Sequence, residues 1–160
     1  MKKAMTLFAA LTVFTVWADL KFPAQAFEVI SGGTAKVVRG NRFFSKAVLL
    51  QADKGSDVTA QIPRFAYLYS ANTVYEADAE IKGQGKAFIE LHFLDFKDQL
   101  IFKERVAEQF ATEKFRDIKG KADMRGKKLP GTPFKVTIVI GVEKDGRVVF
   151  DDIELDAEDD

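Results

Sequence analysis

His92 is the only histidine in the 160-residue chain, and there is no cysteine. Nucleophilic catalysis by a Ser–His–Asp arrangement would need a serine on a sharp turn beside that histidine. The serines, at positions 31, 45, 56 and 70, lie in no G-x-S-x-G setting. One histidine without cysteine also leaves a zinc site short of ligands. The missing cysteines exclude disulfides and thiolate chemistry. Glu76, Asp78 and Glu90 are the carboxylates whose pairing would suit glycoside hydrolysis. Acids on the outward face of a strand are, however, ordinarily just solvated. The inventory points to binding rather than catalysis.

Two groups of side chains have the makeup of a binding surface. The first is the outward face expected from Glu76, Asp78, Phe88, Glu90 and His92, joined by Lys103 and Arg105 of the next strand. Acids, a ring and a histidine on one sheet face can hydrogen-bond sugar hydroxyls and stack on a pyranose; the same set is also what an ordinary polar sheet face looks like. The second is Phe65-Ala66-Tyr67-Leu68-Tyr69, with rings at alternate positions. Extended, Phe65, Tyr67 and Tyr69 form one row that can stack on sugar rings, the tyrosine hydroxyls adding hydrogen bonds. The competing reading is that they plug the end of a sandwich. The loop Arg125-Gly126-Lys127-Lys128 is a small basic patch, read as solvated.

The elements that must position these groups follow a period of two, with turn residues every 8–12 positions. Strands are expected over Phe43–Gln51, Val58–Ile62, Thr73–Lys82, Lys86–Asp95, Gln99–Ala107, Phe134–Val142 and Arg147–Leu155, with a weaker edge strand over Lys114–Met124. In Thr73–Lys82, Tyr75, Ala77, Ala79 and Ile81 face one way, and Glu76, Asp78 and Glu80 the other. In Lys86–Asp95, Ala87, Ile89, Leu91 and Phe93 oppose Phe88, Glu90 and His92. Gly83-Gln84-Gly85 turns the chain, and Lys144-Asp145-Gly146 reads as a hairpin turn. Only Glu104–Glu113 has any helical claim, and its apolar spacing is poor. The fold class is all-β: an antiparallel two-sheet β-sandwich (jelly roll) of eight or nine strands. Ile89, Leu91, Phe93, Val136, Ile138, Ile140, Phe150 and Ile153 are its expected core.

In the closing segment strict alternation fails. Phe150 and Ile153 are three apart, so both enter the core only if the strand kinks between them, and a β-bulge at Asp151-Asp152 would do that.

The N-terminus has the order of a secretory signal. Lys2 and Lys3 precede Ala4–Ala18, which are all apolar or Thr, and a short polar stretch ends in Ala24-Gln25-Ala26. The favoured cut is after Ala26, with Ala18 as second choice. This gives a signal peptide over 1–26, a sandwich domain over 27–155, a frayed acidic tail over 156–160, and a secreted or periplasmic location without a membrane span once the signal is gone. Removal of residues 1–26 leaves 21 basic against 23 acidic residues. No basic field then points to nucleic acid. Trp17, the only tryptophan, departs with the signal, taking away the usual platform for polysaccharide stacking.

Tyr75-Glu76-Ala77-Asp78-Ala79-Glu80-Ile81-Lys82-Gly83 and Ala87-Phe88-Ile89-Glu90-Leu91-His92-Phe93-Leu94-Asp95 resemble the middle strands of jelly-roll carbohydrate-binding modules with a galactose-binding-domain-like fold. Lys144-Asp145-Gly146-Arg147-Val148-Val149-Phe150-Asp151-Asp152-Ile153-Glu154-Leu155 resembles their closing hairpin. The resemblance covers roughly Phe43–Leu155. It implies a non-catalytic module that binds carbohydrate or polysaccharide. It also implies a structural calcium ion (Ca2+) held by Asp151 and Asp152 with Glu28 from the start of the domain, the kind of oxygen set calcium needs. A second reading stands beside it: the same jelly roll as a scaffold for an envelope protein partner, with no glycan bound.

Overall fold

The computed structural model describes residues 20–63 and 67–159. The apolar signal-like run and Phe65 lie outside them. Twelve strands are present among the described residues: β1 (Leu20–Lys21), β2 (Glu28–Ser31), β3 (Thr34–Arg39), β4 (Lys46–Gln51), β5 (Val58–Gln61), β6 (Tyr67–Leu68), β7 (Thr73–Gln84), β8 (Lys86–Leu94), β9 (Leu100–Phe110), β10 (Arg116–Asp123), β11 (Lys135–Val142) and β12 (Arg147–Asp159). The total exceeds the expected eight or nine because β1, β2 and β6 carry too few residues to show an alternation, and because β3 is a largely exposed edge strand in which adjacent Val37 and Val38 break it. Among the described residues no helix is long and apolar enough to cross a membrane.

All pairings are antiparallel, in two sheets. We call the sheet ordered β10-β7-β12-β4-β3 the front sheet; β1 lies against its β12. The back sheet runs β2-β5-β11-β8-β9, with β6 against β11. This is the all-β jelly-roll sandwich that the alternation and the resemblance implied. Every residue of the expected core is buried between the sheets. The weak Lys114–Met124 segment is the edge strand β10, and the segment with a helical claim is β9.

Two turns act differently from their local appearance. Gly83-Gln84-Gly85 and Lys144-Asp145-Gly146 do not close hairpins. Each carries the chain from one sheet to the other, since β7 and β12 belong to the front sheet and β8 and β11 to the back. Gly83 and Gly85 adopt φ of 146° and 110°, values open to glycine because it lacks a Cβ.

The ends also differ from the expected boundaries. The described fold begins before Phe27. β1 pairs with β12, the Phe22 N–H donates to the Ile153 carbonyl at 2.9 Å, and Phe22 and Ala24 are buried in the core. At the other end, residues expected as a frayed acidic tail continue β12, with Asp156 opposite Glu76 and Asp159 opposite Thr73.

Candidate functional site

The outward side of β8 carries Phe88, Glu90 and His92 as the alternation required, but none is open. Glu90 is only 5% exposed. It accepts hydrogen bonds from Lys103 at 3.3 Å and from Arg105 Nε and Nη2 at 3.4 and 3.3 Å. His92 Nε2 lies 3.1 Å from Glu90 Oε2, the oxygen that Lys103 also reaches, while Arg105 takes Oε1. Burial alone would raise the Glu90 carboxyl, but the His92 hydrogen bond and the Lys103 charge outweigh it and hold the group below its usual value. Burial lowers the His92 imidazole, so at neutral pH it donates as a neutral ring. The Phe88 ring lies against Gly141, where a Cβ would collide with it, and the Arg105 guanidinium covers it 3.9 Å from the centroid. Lys103 and Arg105 therefore join these residues as expected, in a network that satisfies itself.

Glu76 and Asp78 do not belong to that face. They point outward from β7, in the front sheet, on the opposite side of the sandwich. The arch at residues 83–85 separates them from Phe88, Glu90 and His92, so the single patch of five is not formed. Tyr67 and Tyr69 of the aromatic row do not form a platform either. The Tyr67 hydroxyl donates to the Leu155 carbonyl at 3.0 Å, and Tyr69 meets Phe93 edge-on at 6.0 Å. Both rings pack on the core, because alternate positions of a strand turn to the same side and here that side faces inward.

The kink in the closing strand is where the alternation placed it. Asp152 and Ile153 together stand opposite Ala79, between the pairs Asp151–Glu80 and Glu154–Asp78. Asp152 takes φ 48°, and Phe150 and Ile153 both reach the core. The acids there have protein partners. Asp151, buried, accepts from the Asn41 N–H at 2.6 Å, the Asp152 N–H at 3.0 Å and the Ser45 hydroxyl at 3.1 Å. Asp152 pairs with Arg42 at 2.8 Å and Lys21 at 3.3 Å. Glu28 is on β2 of the other sheet. Among the described residues no group of three His, Asp or Glu is placed to hold a metal ion. The oxygen set that the resemblance implied for calcium is thus not assembled; hydrogen bonds and two cations stabilise the acidic pair instead.

What Asp151 holds is the β3–β4 loop. The Gly40 N–H donates to the Ser45 carbonyl at 2.9 Å and the Ser45 N–H to the Arg42 carbonyl at 3.1 Å. A side chain at Gly40 would run into the Asp151 carboxylate. Phe43 and Phe44 project from this fixed base, 76% and 87% exposed, with centroids 4.2 Å apart. Phe44 has φ 71°, rare for a bulky residue and tolerated only where the surroundings impose it.

Beside the loop, the outer face of the front sheet holds an open depression of about 590 Å³. Its floor is Val38, Leu49 and Val149, and Arg39, Lys82 and Arg147 stand around it. A hollow of about 370 Å³ between Arg39, Phe43 and Phe44 adjoins it. The sequence reading missed this site because it started a strand at Phe43, whereas β4 starts at Lys46. One signal was present: two adjacent phenylalanines put a ring on each face of any strand, which suits a loop tip better.

No protein-family model matches the chain, and no curated protein matches it in sequence. Solved structures do match. The CBM22-1 xylan-binding domain from Paenibacillus barcinonensis superposes with a TM-score of 0.58 at 11% identity, over 85% of this chain and 88% of that one. A cyclase from Fischerella sp. TAU in complex with 4-(1H-indol-3-yl)butan-2-one gives 0.57 at 14% identity, over 83% and 75%. An arabinose-bound α-L-arabinofuranosidase gives 0.65 at 10% identity, over 88% of this chain. The chain spans 26% of that enzyme and 20% of a bacteriophage CBA120 tailspike protein that it also matches. At these identities the likeness establishes the fold, that of jelly-roll carbohydrate-binding modules.

Proposed function

We propose that the protein is an exported, non-catalytic carbohydrate-binding module whose ligand lies along the front sheet, over the depression and against Phe43 and Phe44. The observation that carries this is the presentation of two exposed rings, on a loop hydrogen-bonded to Asp151, beside an open apolar floor. Sugar rings offer apolar faces that stack on such rings, and the hollow has the size of a small-ligand site. The likeness over nearly the full length of a xylan-binding domain supports it. Fold alone does not select binding over catalysis, since the cyclase is about equally similar. The residues around the depression favour binding: they include no histidine and no carboxylate, the groups that general acid–base catalysis most often uses.

Export goes with this reading, with the cut after Ala18 rather than Ala26. A cut after Ala26 would remove β1 and the buried Phe22 and Ala24, whereas a cut after Ala18 keeps them.

Affinity electrophoresis in gels containing soluble xylan, glucomannan or pectin tests the proposal. Retardation of the wild type, lost in the Phe43→Ala/Phe44→Ala double variant, is expected. Migration unchanged in every polysaccharide would overturn it in favour of an envelope protein partner.

A further inference from the structure

The front sheet treats its cations in two ways. Near β1 and β10, Lys21 pairs with Asp152 and Glu154, while Lys119 and Lys121 both pair with Glu76. Around the depression, Arg39, Lys82 and Arg147 have no ion pair with any described carboxylate. Arg39 and Lys82 instead lie over the rings of Phe43 and Phe115, each 5.6 Å from the centroid. The nearest acids in the strand register, Asp151 and Glu80, are engaged by the 40–45 loop, Glu80 through the Asn41 amide at 2.8 Å. Three cations therefore line an apolar floor without an ion pair to any described carboxylate. Lys36, opposite Leu49, extends the same row.

We propose that the ligand is an acidic polysaccharide, whose uronic-acid carboxylates are held by Arg39, Lys82 and Arg147 while its pyranose faces rest on Val38, Leu49, Val149 and the Phe43–Phe44 tip. The proposal rests on the glycan reading of the same site and names its substrate class. A planar carboxylate matches the fork of a guanidinium, which makes two parallel N–H···O bonds to it. A neutral glycan would leave all three cations unmatched. Nucleic acid fits less well, because formal net charge is zero and the basic patch is confined to one half of one sheet face.

Isothermal titration with oligogalacturonate and with neutral xylohexaose separates the outcomes. The acidic chain is expected to bind at least about tenfold more tightly at low salt, an advantage lost near 1 M salt, where charges are screened beyond about 3 Å. Arg147→Gln should abolish the preference, and Arg147→Lys should keep part of it. Equal binding of both chains by the wild type, or a preference that survives Arg147→Gln, would overturn the acidic-ligand proposal and leave the glycan reading standing. Binding to neither chain, nor to any polysaccharide in the gels, would remove both. Binding to phosphatidylglycerol vesicles without binding to oligogalacturonate would overturn the proposal in favour of a lipid surface.

Discussion

The bulge in β12 divides the outer face of the front sheet into two halves with opposite electrostatics. On one side, a row across four strands reads Lys36, Leu49, Val149, Lys82. On the other, rows read Glu154, Asp78, Lys119 and Asp156, Glu76, Lys121. Like charges directly opposite one another across a strand pair are destabilising. The acidic half offsets this with lysines from its flanking strands. Glu76 is an example: burial would raise its carboxyl, yet Lys119 and Lys121 hold it below the usual value. Asp78 lacks such close support, and burial together with the Glu154 charge pushes it up to about 6. In the basic half the carboxylates of Asp151 and Glu80 are turned to the 40–45 loop, and Arg39, Lys82 and Arg147 make no ion pair with a described carboxylate. One half of this face thus pairs its charges internally, while the other presents cations without ion pairs beside an apolar floor, and it is on that second half that the ligand proposal rests.

The comparison can be broken from the core outward. Phe150 lies inside the sandwich beneath the junction of the halves and is fully buried. Phe150→Ala is expected to cost about 3–5 kcal/mol by urea denaturation and to weaken both halves together. A loss under about 1 kcal/mol would mean that the strand register is displaced by one residue, exchanging its two faces.

Asp151→Ala acts on the basic half alone, releasing the Asn41 N–H and the Ser45 hydroxyl. The expected cost is about 1–3 kcal/mol, with faster amide exchange at Asn41 and unchanged protection at Glu76 and Asp78. Exchange accelerated equally in both halves would show that the bulge does not separate them.

Asp78→Asn acts on the acidic half with the opposite sign. The folded-state value of Asp78, about 6, lies above the ordinary 3.8. Between those values the folded protein keeps a proton that the unfolded chain has released, so stability falls as pH rises through this window. The substitution should raise stability at neutral pH by about 1 kcal/mol, allowing for solvent screening, and flatten the profile between pH 4 and 6. A variant less stable than wild type at pH 7 would mean that Lys119 compensates Asp78 fully.

The smallest effects sharpen the contrast. Arg147→Gln should change stability by less than about 0.5 kcal/mol, because no internal partner is lost. Because Lys21 and Arg42 already neutralise Asp152, EGTA and added calcium are expected to give the same melting temperature. A rise with calcium would show that the ion displaces those side chains.

Much of the fold was legible from alternation. β7, β8 and β11 each bury the face their apolar residues marked, since side chains on a strand point alternately to opposite sides. The bulge was legible too, because two apolar residues three apart cannot share a face without an extra residue between them. The site was not. Alternation says which side of its own sheet a residue takes; it is silent on which sheet the strand joins. Glu76 and Glu90 carry the same outward signature, yet the arch at Gly83–Gly85 places them on opposite surfaces of the molecule. Tyr67 and Tyr69 likewise alternate as expected, but only the packing of β6 on β11 turns them inward against Phe93 and Leu155. The depression draws on β3, β4, β7 and β12, distant in sequence and brought together by long-range pairing. Residue types and their period determined the strands and their inner faces. The pairing of those strands, which no local pattern encodes, decided which cations and rings share a surface.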